Sequence, residues 1–185
     1  MSIVTKILLV LGSAAAMEFV AWALHKYVMH GFGWALHRDH HQTHDKKWEW
    51  NDLYALFGAG LAITMFVLGS PLIYGAQAWE PGIWIGIGIT LYGVIYTLVH
   101  DGLVHQRWFA VTPRKGYARR LVQAHKLHHA THSKEGGVSF GFVLARDPHM
   151  LKRELMRQKR EGEAKLRRSR HAEGRTMPQR RKRRA

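Results

Sequence analysis

The sequence predicts an all-α integral membrane protein, with three to four transmembrane helices carrying a cytoplasmic histidine-rich helical cap and followed by a basic tail. Three observations predict it. Apolar residues are concentrated in three long runs within the first 105 residues. Twelve of the 14 histidines fall into two short blocks written in the same frame. The formal charge of +15 resides mostly in the last 36 residues.

The first run, residues 3–24 (IVTKILLVLGSAAAMEFVAWAL), has 22 residues, and at about 1.5 Å per residue it crosses a hydrocarbon layer of roughly 30 Å. Lys6, an apolar stretch and the small residues from Gly12 to Ala16 also fit a cleaved signal peptide. Apolar character resumes after Glu18, however, and leads straight into His25, which favours a retained anchor. Residues 53–74 and 83–99 are the second and third runs; the third is short but extends through Trp79 and weakly polar neighbours. Orientation follows from where short loops keep Lys and Arg. Residues 25–52 hold Lys26, Arg38, Lys46 and Lys47, and the segment after the third run holds Arg107, Arg114, Lys115, Arg119 and Arg120, whereas residues 70–82 hold neither type. Both histidine blocks are therefore expected on the cytoplasmic side, with the N-terminus outside and the C-terminus inside.

Residues 1–149 form the expected membrane domain and residues 150–185 a basic, disordered cytoplasmic tail. The tail has 15 Lys and Arg against 4 Asp and Glu, a net +11 out of the chain's +15, and ends RRKRRA. Such a run is a solvated extension in the plainest reading; beside a membrane domain, attraction to anionic membrane lipids is the alternative. No nucleic-acid recognition motif accompanies it, so no nucleic-acid partner is expected. The absence of cysteine excludes disulfides, thiolate metal sites and cysteine nucleophiles.

Each histidine block reads HxxxxH and then HxxHHxxH: His25, His30, His37, His40, His41 and His44, then His100, His105, His125, His128, His129 and His132. On a helix with about 100° per residue, His40, His41 and His44 lie at about 300°, 40° and 340° from His37, so one face presents four imidazoles. The same holds from His125 to His132, and two such helices facing each other enclose a pair of metal ions. Residues i and i+5 lie about 140° apart on a regular α-helix, so the HxxxxH pairs share a metal only if the helix ends or bulges there. Gly31 and Gly102 make both outcomes accessible. So many neutral imidazoles exceed the four ligands of structural zinc and suit a redox-active iron pair beside an apolar phase. A surface that merely stores metal needs neither the repeat nor the anchor.

Neighbouring carboxylates have supporting roles in this reading. Asp39 and Asp101 adjoin histidines and can accept the free ring N–H of a bound imidazole, although for Asp39 an exposed helix-surface position is an equal alternative. Glu18 lies inside a membrane run, where a carboxylate is costly and functional; seven residues from His25, it shares that histidine's face and is expected inside the bundle, unless it snorkels. Trp22, Trp34, Phe57, Trp84, Tyr92 and Tyr96 either line a hydrophobic tunnel or serve as packing and interfacial anchors.

The segments YVMHGFGWALHRDHH, WEWNDLYA, HDGLVHQRW, TPRKGYARRLVQAHKLHHA and KEGGVSFGFVLA resemble the membrane fatty acid hydroxylase/desaturase superfamily of histidine-rich di-iron enzymes, and more closely the bacterial β-carotene 3-hydroxylases. The resemblance covers roughly residues 17–145 and leaves out the tail. It implies His25, His30, His37, His40, His41, His100, His105, His125, His128 and His129 as ligands of two iron ions, with His44 and His132 as accessory positions only. It also implies hydroxylation of the β-ionone rings of β-carotene at carbon 3, giving β-cryptoxanthin and then zeaxanthin, with O2 as co-substrate and the carotenoid drawn from the bilayer. The location implied is the bacterial inner membrane. The chain has no GxGxxG fingerprint, so electrons are expected from an external ferredoxin and its NAD(P)H reductase. The family is drawn with four membrane helices; a fourth here would fall near residues 70–82. A carotenoid ketolase, a fatty acid or sterol hydroxylase, and a non-catalytic membrane metal-binding protein are the alternatives.

Overall fold

The computed structural model describes residues 1–42, 48–108 and 110–176, apart from the side chains of 172–176. Among the described residues every regular element is helical. Helix α1 (Ile3–Ala23) is capped by Ser2, whose Oγ accepts the Thr5 N–H at 3.2 Å, and runs into a π-helical segment, Leu24–Phe32, kinked at Gly31. A short α2 (Trp34–His37) and a 3-10 turn (Asp39–His41) follow. A second 3-10 turn (Trp50–Tyr54) opens α3 (Ala55–Gly69). Helix α4 (Pro71–Tyr74) and the turn Gly75–Gln77 lead to α5 (Pro81–Tyr96), which ends in another π-helical segment, Thr97–Val104. Helices α6 (Gly116–His129) and α7 (Pro148–Thr176) complete the chain.

Three stretches, Ile3–Phe32, Trp50–Gly69 and Pro81–Val104, are long and apolar enough to cross a membrane. Their outward faces are apolar too: Leu8, Leu11, Phe19, Leu56, Ile63 and Leu91 are all exposed, the pattern of helices solvated by lipid. Of the two alternatives left open, three spans or a fourth near residues 70–82, the structure has the first: that stretch holds a four-residue helix and a 3-10 turn. Ser70 and Pro71 stop α3, and Gly75 at φ 56° stops α4 before either can extend.

Helix α5 is the centre of the bundle, packed on α1 and α3 around Met17, Ala62, Ile89 and Tyr92. Small residues let the backbones meet. A Cβ at Gly88 would run into Ser13 Oγ and the Val10 carbonyl of α1, the close approach by which membrane helices associate. At one end of the bundle Glu80 pairs with the N-terminal ammonium at 3.2 Å and Lys6 at 3.5 Å. At the other end α1 and α5, running in the same direction, both deliver histidines.

The tail departs from expectation. Residues 148–176, expected from Met150 onward to be disordered, are helical. Leu151 and Leu155 are fully or almost fully buried against Leu121, Ala124, Val138 and Ala145. Two leucines four residues apart give the basic helix an apolar foothold on α6, which an average over the whole tail conceals. The folded unit therefore extends past residue 149.

Candidate metal centre

The first HxxxxH pair sits in a π-helical segment, and the second begins in one and ends at its C-cap, His105. In that geometry residue i+5 returns over residue i, and the His105 N–H donates to the His100 carbonyl at 2.9 Å. Each pair is thereby turned to one side, which an α-helix would forbid. The HxxHH boxes behave differently from each other. His125, His128 and His129 ride on α6 as expected, but α2 ends at His37, Asp39–His41 is a 3-10 turn, and Gln42 is extended at φ −111° and ψ 140°. The first box is not one helical face.

Two groups of imidazoles result. His25, His30, His37, His41 and His128 are all buried, and their nitrogens lie within 4.8 Å of one another; His40, His105, His125 and His129 form a second set with the same limit. His100 joins the second through its Nε2, 3.2 Å from His40 Nε2, and its ring centroid lies 4.6 Å from that of His105. Each group thus combines one HxxxxH pair, two histidines of the box that follows it, and one histidine of the opposite box. The exchange is reciprocal: His40 crosses to the second group and His128 to the first. The duplication in sequence is a pseudo-twofold in space, and the adjacent pairs His40-His41 and His128-His129 each point to two different centres.

The ring tautomers follow from the hydrogen bonds. His25, His30, His41 and His128 donate from Nδ1 to the carbonyls of Phe140 (2.9 Å), Lys134 (3.0 Å), Thr131 (2.8 Å) and Val138 (2.9 Å). His37 Nδ1 donates to Asn51 Oδ1 at 2.6 Å, His40 Nδ1 to Glu49 Oε2 at 2.6 Å, and His100 Nδ1 to Asp101 Oδ1 at 2.7 Å. With the proton on Nδ1, each Nε2 carries a lone pair. These lone pairs face one another at 3.2 Å in His25–His37, His37–His41, His30–His128 and His40–His100, and the Nε2 atoms of the second group crowd as closely, 2.9 Å for His105–His125 and 2.8 Å for His125–His129. Opposed lone pairs repel unless a cation lies between them, and donors about 2.1 Å from one ion lie up to roughly 4.2 Å apart, close to the spread found. The donor set fits a metal in each group.

Burial also keeps the imidazoles beyond the membrane-length stretches neutral, the form that binds metal. Desolvation lowers His37 to about 3 and His41 to about 4, and holds His40, His125 and His128 well below the ordinary histidine value.

Glu18 is buried, 6% exposed, inside the bundle. Its hydrogen-bond partners are a tyrosine and three backbone N–H groups. Its carboxylate accepts the Tyr92 hydroxyl at 2.7 Å and the backbone N–H groups of Phe142 (3.0 Å), Val143 (3.0 Å) and Leu144 (2.9 Å). Glu18 therefore anchors the loop after α6, whose Phe142 stacks on His25 at 4.8 Å and packs edge-on to Tyr96 at 4.7 Å. Asp101 binds an imidazole, whereas Asp39 accepts the Trp50 N–H at 2.7 Å and holds the two 3-10 turns together. His132 is exposed and outside both groups, with Nδ1 donating to the His41 carbonyl at 2.9 Å. His44 lies outside the described residues. Of the six aromatics, Trp34 and Tyr96 touch histidine rings, and Tyr92 donates to Glu18 and packs in the bundle core. Trp22 and Phe57 are exposed, and Trp84 lies under Lys6 near the far end.

Sequence reasoning gave Glu49, Asn51, Asp52 and Arg107 no place at the site. Arg107 bridges Glu49 and Asp52 at 2.9 Å each and lies 4.0 Å from Asp101. Burial alone would lower its pKa; the bonds to Glu49 and Asp52 outweigh this and raise it. Two acids and an amide in the otherwise aromatic WEWND were the available signal.

The fatty acid hydroxylase family model matches residues 10–146. The chain is 47% identical to a β-carotene hydroxylase of Paracoccus sp. (strain N81106 / MBIC 01143), over 82% of this chain and 91% of that protein. It is 49% identical to the β-carotene hydroxylase of Pseudescherichia vulneris, over 76% and 77% respectively. It is also 38% identical to the chloroplastic β-carotene 3-hydroxylase 1 of Arabidopsis thaliana, over 72% of this chain and 42% of that one. No solved structure matches it. The chain belongs to the fatty acid hydroxylase family.

Proposed function

We propose that the chain is a carotenoid β-ring 3-hydroxylase, converting β-carotene through β-cryptoxanthin to zeaxanthin at two iron ions. The observation that carries this reading is the pair of buried and half-buried imidazole groups at the ends of membrane-length helices; the names of the relatives supply the substrate. His25, His30, His37, His41 and His128 would hold one ion, and His40, His100, His105, His125 and His129 the other. Five neutral nitrogens exceed a structural zinc site and hold iron without adding negative charge at an apolar boundary. Iron held there supplies O2 activation: one oxygen atom enters a ring C–H bond as hydroxyl, and the other leaves as water with two protons and two electrons.

The chain's own residues orient and exclude. Carbonyls, Asn51, Glu49 and Asp101 fix seven rings through Nδ1. Phe140, Phe142 and Tyr96 pack against His25 and His100, which keeps water from the reacting centre and offers an apolar wall to a β-ionone ring. The Lys and Arg distribution supports an orientation with this end in the cytoplasm, and the bacterial relatives support an inner-membrane location. With no dinucleotide loop in the sequence, electrons come from an external ferredoxin-type donor. The basic outer part of α7 favours an acidic one. A truncation that tests this must begin after residue 160, because Leu151 and Leu155 belong to the core. Unchanged turnover at low salt with limiting donor would remove α7 as the docking element.

Expression in a β-carotene-accumulating bacterium tests the function. Products heavier by one and two oxygen atoms with unchanged visible absorption are expected. A reddened pigment would mean a ketolase, and oxidised fatty acid or sterol with untouched carotenoid a lipid hydroxylase. No product at all, with iron, O2 and a competent donor present, would leave a non-catalytic metal-binding protein.

A further inference from the structure

The two histidine groups are equivalent in frame but not in what stands behind them. In the first, all five Nδ1 protons go to neutral acceptors: the carbonyls of Phe140, Lys134, Thr131 and Val138, and the Asn51 amide. The pseudo-twofold pairs His25 with His100 and His128 with His40. Where the first member of each pair meets a carbonyl, the second meets a carboxylate, Asp101 at 2.7 Å and Glu49 at 2.6 Å. The carboxylates are not incidental surface groups. Glu49 is 11% and Asp101 18% exposed at the side chain, and Arg107 ties Glu49 to Asp52 with Asp101 4.0 Å away. Among the described residues, Glu49, Asp52 and Asp101 gather around the one guanidinium of Arg107.

A carboxylate accepting the Nδ1 proton draws it off the ring, so Nε2 becomes a stronger donor, whereas a carbonyl or amide only orients the ring. We infer that Glu49 and Asp101 are positioning residues that make the two metal positions unequal: the second group binds its iron more tightly and is the more readily oxidised of the two. Arg107 holds Glu49 in place and limits how far its charge is felt. The inequality rests on the two-iron reading above, which asks Glu49 and Asp101 only to orient their rings and not to tell the two positions apart. It has a use in a reaction that takes electrons singly from a donor protein, because two unlike ions accept the first electron at a defined one.

The test uses the full chain in detergent, reconstituted anaerobically with ferrous 57Fe and challenged with a ferrous chelator. Wild type should bind two ions, release them in two phases, and give two distinct Mössbauer doublets. Glu49→Gln keeps the shape and a hydrogen-bond acceptor but removes the charge; it should speed the slow phase by about 10-fold to 100-fold, the usual effect of losing such a partner, and leave the fast phase alone. Asp101→Asn should do the same independently, which covers a failure of Glu49→Gln to fold. Asn51→Asp, placing a carboxylate behind His37, should slow the fast phase and shift the other doublet. Single-phase release from wild type, or a Glu49→Gln effect on both phases equally, would overturn the inequality while leaving two bound irons intact. A wild-type chain that binds no iron would overturn the two-iron reading itself.

Discussion

Replacing Glu18 separates an anchor from a chemical participant. Four donors converge on its carboxylate: the Tyr92 hydroxyl and the N–H groups of Phe142, Val143 and Leu144. In Glu18→Leu those three backbone donors lose their acceptor, each at about 1–3 kcal/mol. Allowing for partial rescue by water, the loss is about 3–6 kcal/mol, a large share of a typical domain's stability. The consequence should be local before it is global. The same loop supplies the Phe140 and Val138 carbonyls that orient His25 and His128, so the first group should lose iron before the second. Glu18→Gln keeps one oxygen acceptor and should cost about 1–3 kcal/mol, with most iron and turnover retained. The assay is thermal unfolding of the purified chain in detergent, read together with iron content and activity. A Glu18→Gln protein of unchanged stability and iron content but without turnover would refute the anchor and make Glu18 part of the chemistry.

Other outcomes follow from the same geometry. Leu151→Ala, at a fully buried site between α7 and α6, should cost about 2–5 kcal/mol by thermal or denaturant unfolding, whereas truncation after residue 160 should leave stability unchanged. Gly88→Val forces a side chain into Ser13 and the α1 backbone and should abolish or sharply reduce the folded yield, while Gly58→Ala, with nothing within 4 Å, should be silent in the same measurement. His37 and His41 have folded pKa values of about 3 and about 4, below the ordinary value near 6.5. Unfolded chain then takes up protons first as pH falls, so stability is intact above about pH 6.5 and is lost progressively toward pH 4. A melting temperature of the metal-free protein that stayed flat or rose over that interval would contradict the burial of these rings.

Much of this was legible in the sequence because the signals were periodic or repeated. Three apolar runs of membrane length gave the spans, and the HxxxxH spacing, incompatible with a regular α-helix, required a deformation that both π-helical segments supply. The crossing of His40 and His128 between groups was not legible. It depends on the first box leaving α-helical geometry after His37, and the angles computed for a regular helix put all four histidines on one face. The roles of Glu49, Asn51 and Glu18 were hidden for a related reason: their partners lie 9, 14 and more than 120 residues away. The helical start of the tail was masked by composition, because Leu151 and Leu155 are outweighed by the basic residues around them.

The central claim is that two histidine groups, each borrowing one ligand from the other half of the duplication, work together to insert oxygen into a carotenoid ring. Incubation of the iron-loaded chain with β-carotene, a reduced donor and 18O2, followed by mass spectrometry of the product, tests it most directly. The account predicts heavy oxygen in the ring hydroxyl for wild type, and none for His41→Ala or His129→Ala, each of which cripples a different group. Product carrying oxygen from water, or turnover persisting in either variant, would contradict it.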